Sequence, residues 1–185
     1  MPLGDPGEWD SATHRLGDIV YDGSLYHLYI MGAEGLNILD WPQSVGHWTS
    51  THVSGPWEED LNNPVLGPEP GQLDSFTIYN IGVLYDGSML HMWFGAAASQ
   101  EGDINVGYAT SPNGSFWTRG AGGDPLPGLE PGAPGEWNDA GMVPSTVLFD
   151  GELYRMWTTA VELDGQNNYG PFRVGYADSL DGITW

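Results

Sequence analysis

Three acids, Asp10, Asp74 and Glu136, stand close behind three Pro-Gly pairs, Pro6-Gly7, Pro70-Gly71 and Pro134-Gly135. Carboxylates so placed are candidates for acid–base chemistry, because a protonated and an ionised carboxyl can divide proton donation and charge stabilisation between them. Asp10, Asp74 and Asn138 share one offset, three residues after the Gly, and Asp139 follows directly. A second reading fits the repetition equally: an Asx side chain at a turn accepts local backbone N–H groups. Scaffold needs recur in every unit, whereas a catalytic task is needed once.

Other polar residues do not recur. His14, Arg15 and Asp18 occupy offsets where the second unit has Ile78, Tyr79 and Gly82 and the third has Met142, Val143 and Thr146. A polar cluster on one inner strand could line a funnel, so His14, Arg15 and Tyr79 join Asn138 and Asp139 as candidate ligand-binding residues; structural pairing is the alternative. His27, His91 and Arg155 match one another, which favours a shared edge or solvent face over metal ligation. Asp22, Asp86 and Asp150 read as turn residues. No cofactor is expected. Ca²⁺ is the one candidate ion, at the acid-rich stretches Glu101-Gly102-Asp103 and Asp164-Gly165-Gln166-Asn167-Asn168, which offer hard oxygen ligands without an EF-hand spacing.

These residues sit in a sentence spelled three times. Tyr21-Asp22-Gly23, Tyr85-Asp86-Gly87 and Phe149-Asp150-Gly151 lie 64 residues apart, as do the Pro-Gly pairs. An apolar run leads into each Asp-Gly and another leaves it, and Asp-Gly between such runs is a strong hairpin signal. A third strand follows at Val45-Gly46-His47, Val106-Gly107-Tyr108 and Val174-Gly175-Tyr176, and a closing Trp at Trp57, Trp117 and Trp185. The outer strands are expected near Pro56-Trp57, Ser115 to Trp117 and Ile183 to Trp185. Second strands such as Leu25 to Met31 carry large residues on both faces, so sheets must cover both sides. Long periods of this kind mark propeller blades or solenoid units. The expectation is an all-β propeller in one domain, residues 1–185, with three four-stranded antiparallel blades at about 6–60, 61–124 and 125–185.

Composition sets the limits. The 185 residues are 40% hydrophobic, with 9 Trp and 9 Tyr, and the 28 Gly and 14 Pro fall between apolar runs, where turns need them. Acids number 25 against 4 basic residues, for a net charge of −21. Such a surface repels phosphates and anionic lipid, so neither nucleic acid nor a membrane is an expected partner. It also suits a saline habitat. There is no Cys, which excludes disulfides and thiolate chemistry. No run approaches the ~20 apolar residues of a membrane helix. The N-terminal residues do not read as a signal peptide; an extracellular location is slightly favoured.

The blade phrases Val106-Gly107-Tyr108-Ala109-Thr110-Ser111 to Trp117 and Val174-Gly175-Tyr176-Ala177 to Trp185, with Asn63-Pro64-Val65-Leu66 and Tyr154-Arg155-Met156-Trp157, resemble the five-bladed propeller glycosidases. That group includes glycoside hydrolase family 43, the invertases and levansucrases, and the mannoside phosphorylases. The resemblance spans essentially the whole chain and implies glycan binding or hydrolysis at an axial funnel, by a carboxylate acid and a carboxylate base or nucleophile. It also implies an Asp just before the Pro that starts the first inner strand. Here that offset holds Arg15, Tyr79 and Val143, with Pro144 the one surviving Pro. The departure counts against hydrolysis by that scheme and leaves Asp10, Asp74 and Glu136 as the candidate acids. Trp41, in a loop of variable length, is a candidate platform for a sugar ring or a residue packed under its own loop.

Three blades cannot close a ring, since propellers close with about four to eight. The chain is therefore expected to be part of a longer protein or to complete its ring as a homo-oligomer. Three functions stay open: carbohydrate-active enzyme, non-catalytic sugar-binding propeller, and structural module that assembles by self-association.

Overall fold

The computed structural model describes residues 1–35, 42–100, 102–120, 124–163 and 169–185. They form three antiparallel sheets and, among the described residues, no helix. The first sheet is β1 (Thr13–Tyr21), β2 (Tyr26–Ala33), β3 (Gln43–Ser50) and β4 (Glu58–Glu59), hydrogen-bonded in that order. The second repeats it with β5 (Thr77–Tyr85), β6 (Leu90–Ala97), β7 (Asn105–Ser111) and β8 (Thr118–Arg119). The third has β9 (Met142–Phe149), β10 (Tyr154–Leu163) and β11 (Tyr169–Ser179). This is a partial propeller of three blades, whose inner strands β1, β5 and β9 lie side by side.

The Asp-Gly turns form as their chemistry demands. Asp22 Oδ1 accepts the Ser24 and Leu25 N–H groups, each at 2.7 Å, and Gly23 takes φ +99°, a conformation that side chains disfavour. Asp86-Gly87 and Asp150-Gly151 repeat the geometry.

Two details differ from expectation. The outer strands begin after Trp57 and Trp117, because each indole turns inward to pack. In the third blade, no described strand covers Ile183 to Trp185. There Asp181 Oδ1 accepts the N–H groups of Ile183 (2.9 Å) and Thr184 (2.8 Å), while Trp185 N–H donates to Pro127 O at 3.0 Å.

Alternation along the strands explains the packing. On β2, Tyr29 and Met31 face the second blade, where with Val45 they meet Ile81, Val83, Met92 and Phe94. Leu28 and Ile30 point the other way and pack with Trp48, Trp9 and Trp57. On β6 the pattern repeats: Trp93 joins Val106 against Met142, Val147 and Met156 of the third blade. Full burial of side chains this size contributes ~2 kcal/mol each, so the seams between blades, more than the hairpins, hold the molecule together. Each inner strand also carries a bulge, at Gly17, at Tyr79-Asn80 and at Ser145.

Candidate functional site

The site is built where the chain turns into β1. A turn after Pro6-Gly7 is held by Glu8, whose N–H donates to Asp5 O (2.9 Å) and whose carboxylate accepts the Asp5 N–H (2.8 Å). The Trp9 indole then lies over Gly32 and Gly46; a Cβ at either would run into its ring. Asp10 follows, buried, with Oδ2 at 2.7 Å from His14 Nε2. The His14 ring meets Trp48 edge-on at 6.0 Å. Trp9, Asp10, Glu8, Glu34, Glu59 and Asp60 line a groove of about 780 Å³. That volume suits a small ligand, and the lining joins an indole face to carboxylates that accept hydrogen bonds. Hydroxyl-rich ligands match such a surface.

The other candidates lie elsewhere. Asp74 is fully buried; Arg119 Nη2 (2.5 Å) and Nε (3.2 Å) both reach its Oδ2, and its Oδ1 has no partner among the described residues. Arg119 also contacts Glu69 (2.5 Å) and donates to Gly67 O (2.7 Å), which clamps the connection between blades one and two onto β8. In the third unit the side chains serve the backbone. Glu136, exposed, accepts the Ala133 N–H at 3.0 Å, and buried Asn138 donates to Glu130 O at 3.5 Å. Asp139 accepts the N–H groups of Gly135 (2.7 Å) and Leu163 (2.8 Å), which hold its carboxyl below the usual range.

Arg15 and Tyr79 belong to the seams. Arg15 donates to Gln43 Oε1, and the Gln43 N–H donates to Thr77 Oγ1 (3.1 Å) of the second blade; burial lowers the pKa of Arg15. Tyr79 packs among Ile104, Ala140, Val143 and Val161. Asp18 pins the first seam by accepting the Val83 N–H at 2.8 Å, and burial raises its pKa. Trp41, Glu101 and residues 164–168 lie outside the described residues. Among the described residues no group of three or more His, Asp or Glu is arranged to hold a metal ion.

Sequence reasoning missed one assembly. The Asp-Gly carboxylates cap their turns with Oδ1 and grip the second strand with Oδ2: Asp22–His27 at 3.0 Å, Asp86–His91 at 2.9 Å, and Asp150–Arg155. The gripped side chain in turn meets the third strand, as His27–His47 (2.9 Å), His91–Tyr108 (2.5 Å) and Arg155–Tyr176 (2.6 Å). In blade one the chain runs on from His47 Nδ1 to Asp60 Oδ2 at 2.8 Å, and Ser115 of blade two donates to the same oxygen. His27 is buried here, not at a shared solvent edge. The signal was present: His47, Tyr108 and Tyr176 all stand two residues after the repeated Val.

No protein-family model and no curated relative matches the chain. Solved structures do. A glycosyl hydrolase from Bacteroides ovatus superposes with TM-score 0.63 at 17% identity, over 96% of this chain and 49% of that one. A family 117 glycoside hydrolase from the marine bacterium Zobellia galactanivorans gives 0.66 at 14%, over 96% and 55%. Fructan 1-exohydrolase IIa from Cichorium intybus, solved with 1-kestose, gives 0.68 at 17%, over 99% and 32%. The likeness is one of fold. These neighbours are glycoside hydrolases with propeller-like folds, and the chain spans about half the length of the first two.

Proposed function

We propose that the chain is a carbohydrate-binding propeller module, with the groove beside Trp9 and Asp10 as its sugar site. The observation that carries this reading is that the Trp9 indole and a group of carboxylates line one ligand-sized groove. The carbohydrate-active names of the structural neighbours support it. Hydrolysis is the finer version. It needs one carboxyl to protonate the leaving oxygen and a second to act as base or nucleophile. Asp10, paired with His14, is the acid best placed to serve in it. Asp74 is held by Arg119, and Glu136 serves its own turn.

Retention on immobilised fructo-oligosaccharide, β-mannobiose and a galactose-terminated trisaccharide tests the reading. Binding to one of them, lost in Trp9→Ala and kept in Glu136→Gln, is expected. Failure to bind any sugar would favour the second reading, an assembly module, which the wholly structural use of Asp74, Asn138 and Asp139 supports. If a glycoside is turned over, Asp10→Asn should cut kcat at least a hundredfold.

A further inference from the structure

Blade two repeats the wall of the groove with a cation set into it. There the Arg119 guanidinium of β8 reaches three groups of the preceding connection: Asp74 Oδ2 (2.5 and 3.2 Å), Glu69 Oε2 (2.5 Å) and the Gly67 carbonyl (2.7 Å). One 64-residue period earlier these groups are Asp10, Asp5 and Leu3, and all three line the groove of blade one. Only the arginine has changed. Its place on the fourth strand is taken by Glu59, which pairs with Trp48 as Arg119 pairs with Ala109. Trp48 and Ala109 each stand three residues after the repeated Val, so the two positions match.

The exchange leaves the groove lined by six carboxylates, Asp5, Glu8, Asp10, Glu34, Glu59 and Asp60, and by no Arg or Lys. The neutral donors that reach this lining, Asn63 on Glu59 at 3.3 Å and Ser115 on Asp60, bring no positive charge to it. A concave wall of one sign concentrates ligands of the other, and an ammonium has three N–H donors for such acceptors. Trp9 adds an indole, the best aromatic partner for a cation. Among the described residues no three acids converge as a metal ion would require, which favours an organic cation held through hydrogen bonds. In blade two the cation comes from that blade's own fourth strand, so the exchange is a property of the blade and not of what adjoins it.

We propose that the groove selects sugars with a free amino group, of the glucosamine type, over neutral and acidic sugars. The ammonium takes the place that the Arg119 guanidinium has in blade two, against Asp10 and Asp5, with the sugar ring at Trp9. The same wall refuses uronic, sulfated and phosphorylated sugars. The inference rests on the sugar-binding reading and adds to it the charge of the ligand.

Calorimetric titration with glucosamine disaccharide, its di-N-acetyl form and cellobiose, which share one linkage, tests it. Added salt screens the general attraction of a protein with net charge −21. The free amine should bind at least tenfold tighter than either of the others. Glu59→Arg, which installs the blade-two residue, should weaken that binding at least tenfold and raise Tm, because the new guanidinium occupies the site. Glu58→Arg makes the same change of charge outside the groove and should leave the affinity within twofold. Equal losses in the two variants would mark a general charge effect and overturn the inference. Cellobiose bound as tightly as the amine would overturn it too, and would leave the sugar site standing. If no sugar binds at all, the sugar-binding reading falls and this inference with it.

Discussion

The same three-part contact appears in blade one and in blade three, with opposite surroundings. In blade one it is Asp22–His27–His47, sealed under blade two; in blade three it is Asp150–Arg155–Tyr176, open to water. The gripped side chain is 4% exposed for His27, 14% for His91 and 33% for Arg155. The side chain changes with the burial. An imidazole can be neutral, so it enters a seam without carrying a charge there, whereas a guanidinium keeps its charge and stays near water. The geometry is therefore scaffold in all three blades, and its energetic weight is set by what covers it.

The largest expected effect is at the covered end. His47→Ala removes a ring stacked on Tyr29 at 4.9 Å and strips His27 and Asp60 of a partner. A cavity, with buried His27 and half-buried Asp60 each short of one bond, costs roughly 4 kcal/mol. Urea unfolding should show that loss in the midpoint with an unchanged slope. A loss under about 1 kcal/mol would mean that water replaces the ring and that burial does not set the weight.

Gly114→Ala attacks the same seam from blade two. Gly114 holds φ +84°, and a Cβ there would lie 2.7 Å from Tyr29 Oη and 2.9 Å from His27 Nδ1. Strain and overpacking add to about 3 kcal/mol. Gly151→Ala, with a similar φ of +98° and open space around it, isolates the backbone part and should cost about half as much.

How far these contacts were legible depends on how local they are. The Asp-Gly turns follow from Asp22, Gly23 and Ser24 alone, and the 64-residue period carried the blade count. His47 could not be paired from sequence, since its partners come from a neighbouring strand and a loop thirteen residues on, and Asp60 of that loop is held in turn by Ser115 of the next blade. Only strand register, which sets Tyr29 opposite His47, brings them together. The candidate site shows the same limit. Asp10 and His14 were each singled out, but as an acid and a funnel residue, not as a hydrogen-bonded pair. Arg15 and Tyr79 looked like ligand residues because they break the repeat; they break it because each seam has contacts of its own, Arg15 through Gln43 between blades one and two and Tyr79 between blades two and three.

Acid should weaken the covered seam first. Burial lowers the pKa of His47 below 6.5, against the opposing pull of Asp60. The unfolded chain then binds a proton that the folded chain refuses, so stability falls as pH drops through 6.5 toward the folded value. A second loss follows between 3.8 and about 2, where Asp60, held low chiefly by hydrogen bonds from Ser115 and His47 that outweigh its burial, takes up its proton. His47→Gln, which keeps hydrogen-bonding atoms without the titration, should flatten the slope of Tm between pH 7 and 5 and leave the lower step in place. An unchanged slope would assign the upper step to another group.

Arg155→Ala is the smallest effect and the sharpest check on the comparison. Arg155 holds Asp150 and the Tyr176 hydroxyl in the same arrangement that His27 makes with Asp22 and His47. If geometry set the energy, the two deletions would be alike. Solvent screens an exposed pair, and Asp150 keeps its two backbone bonds, from Glu152 and Leu153, when the guanidinium is gone. Tm should therefore stay within a degree or two of the parent in a monomeric sample at moderate salt. A shift as large as that of His47→Ala would show that the open face of blade three is covered in solution, since only a covering surface gives this contact the weight that it has in blade one.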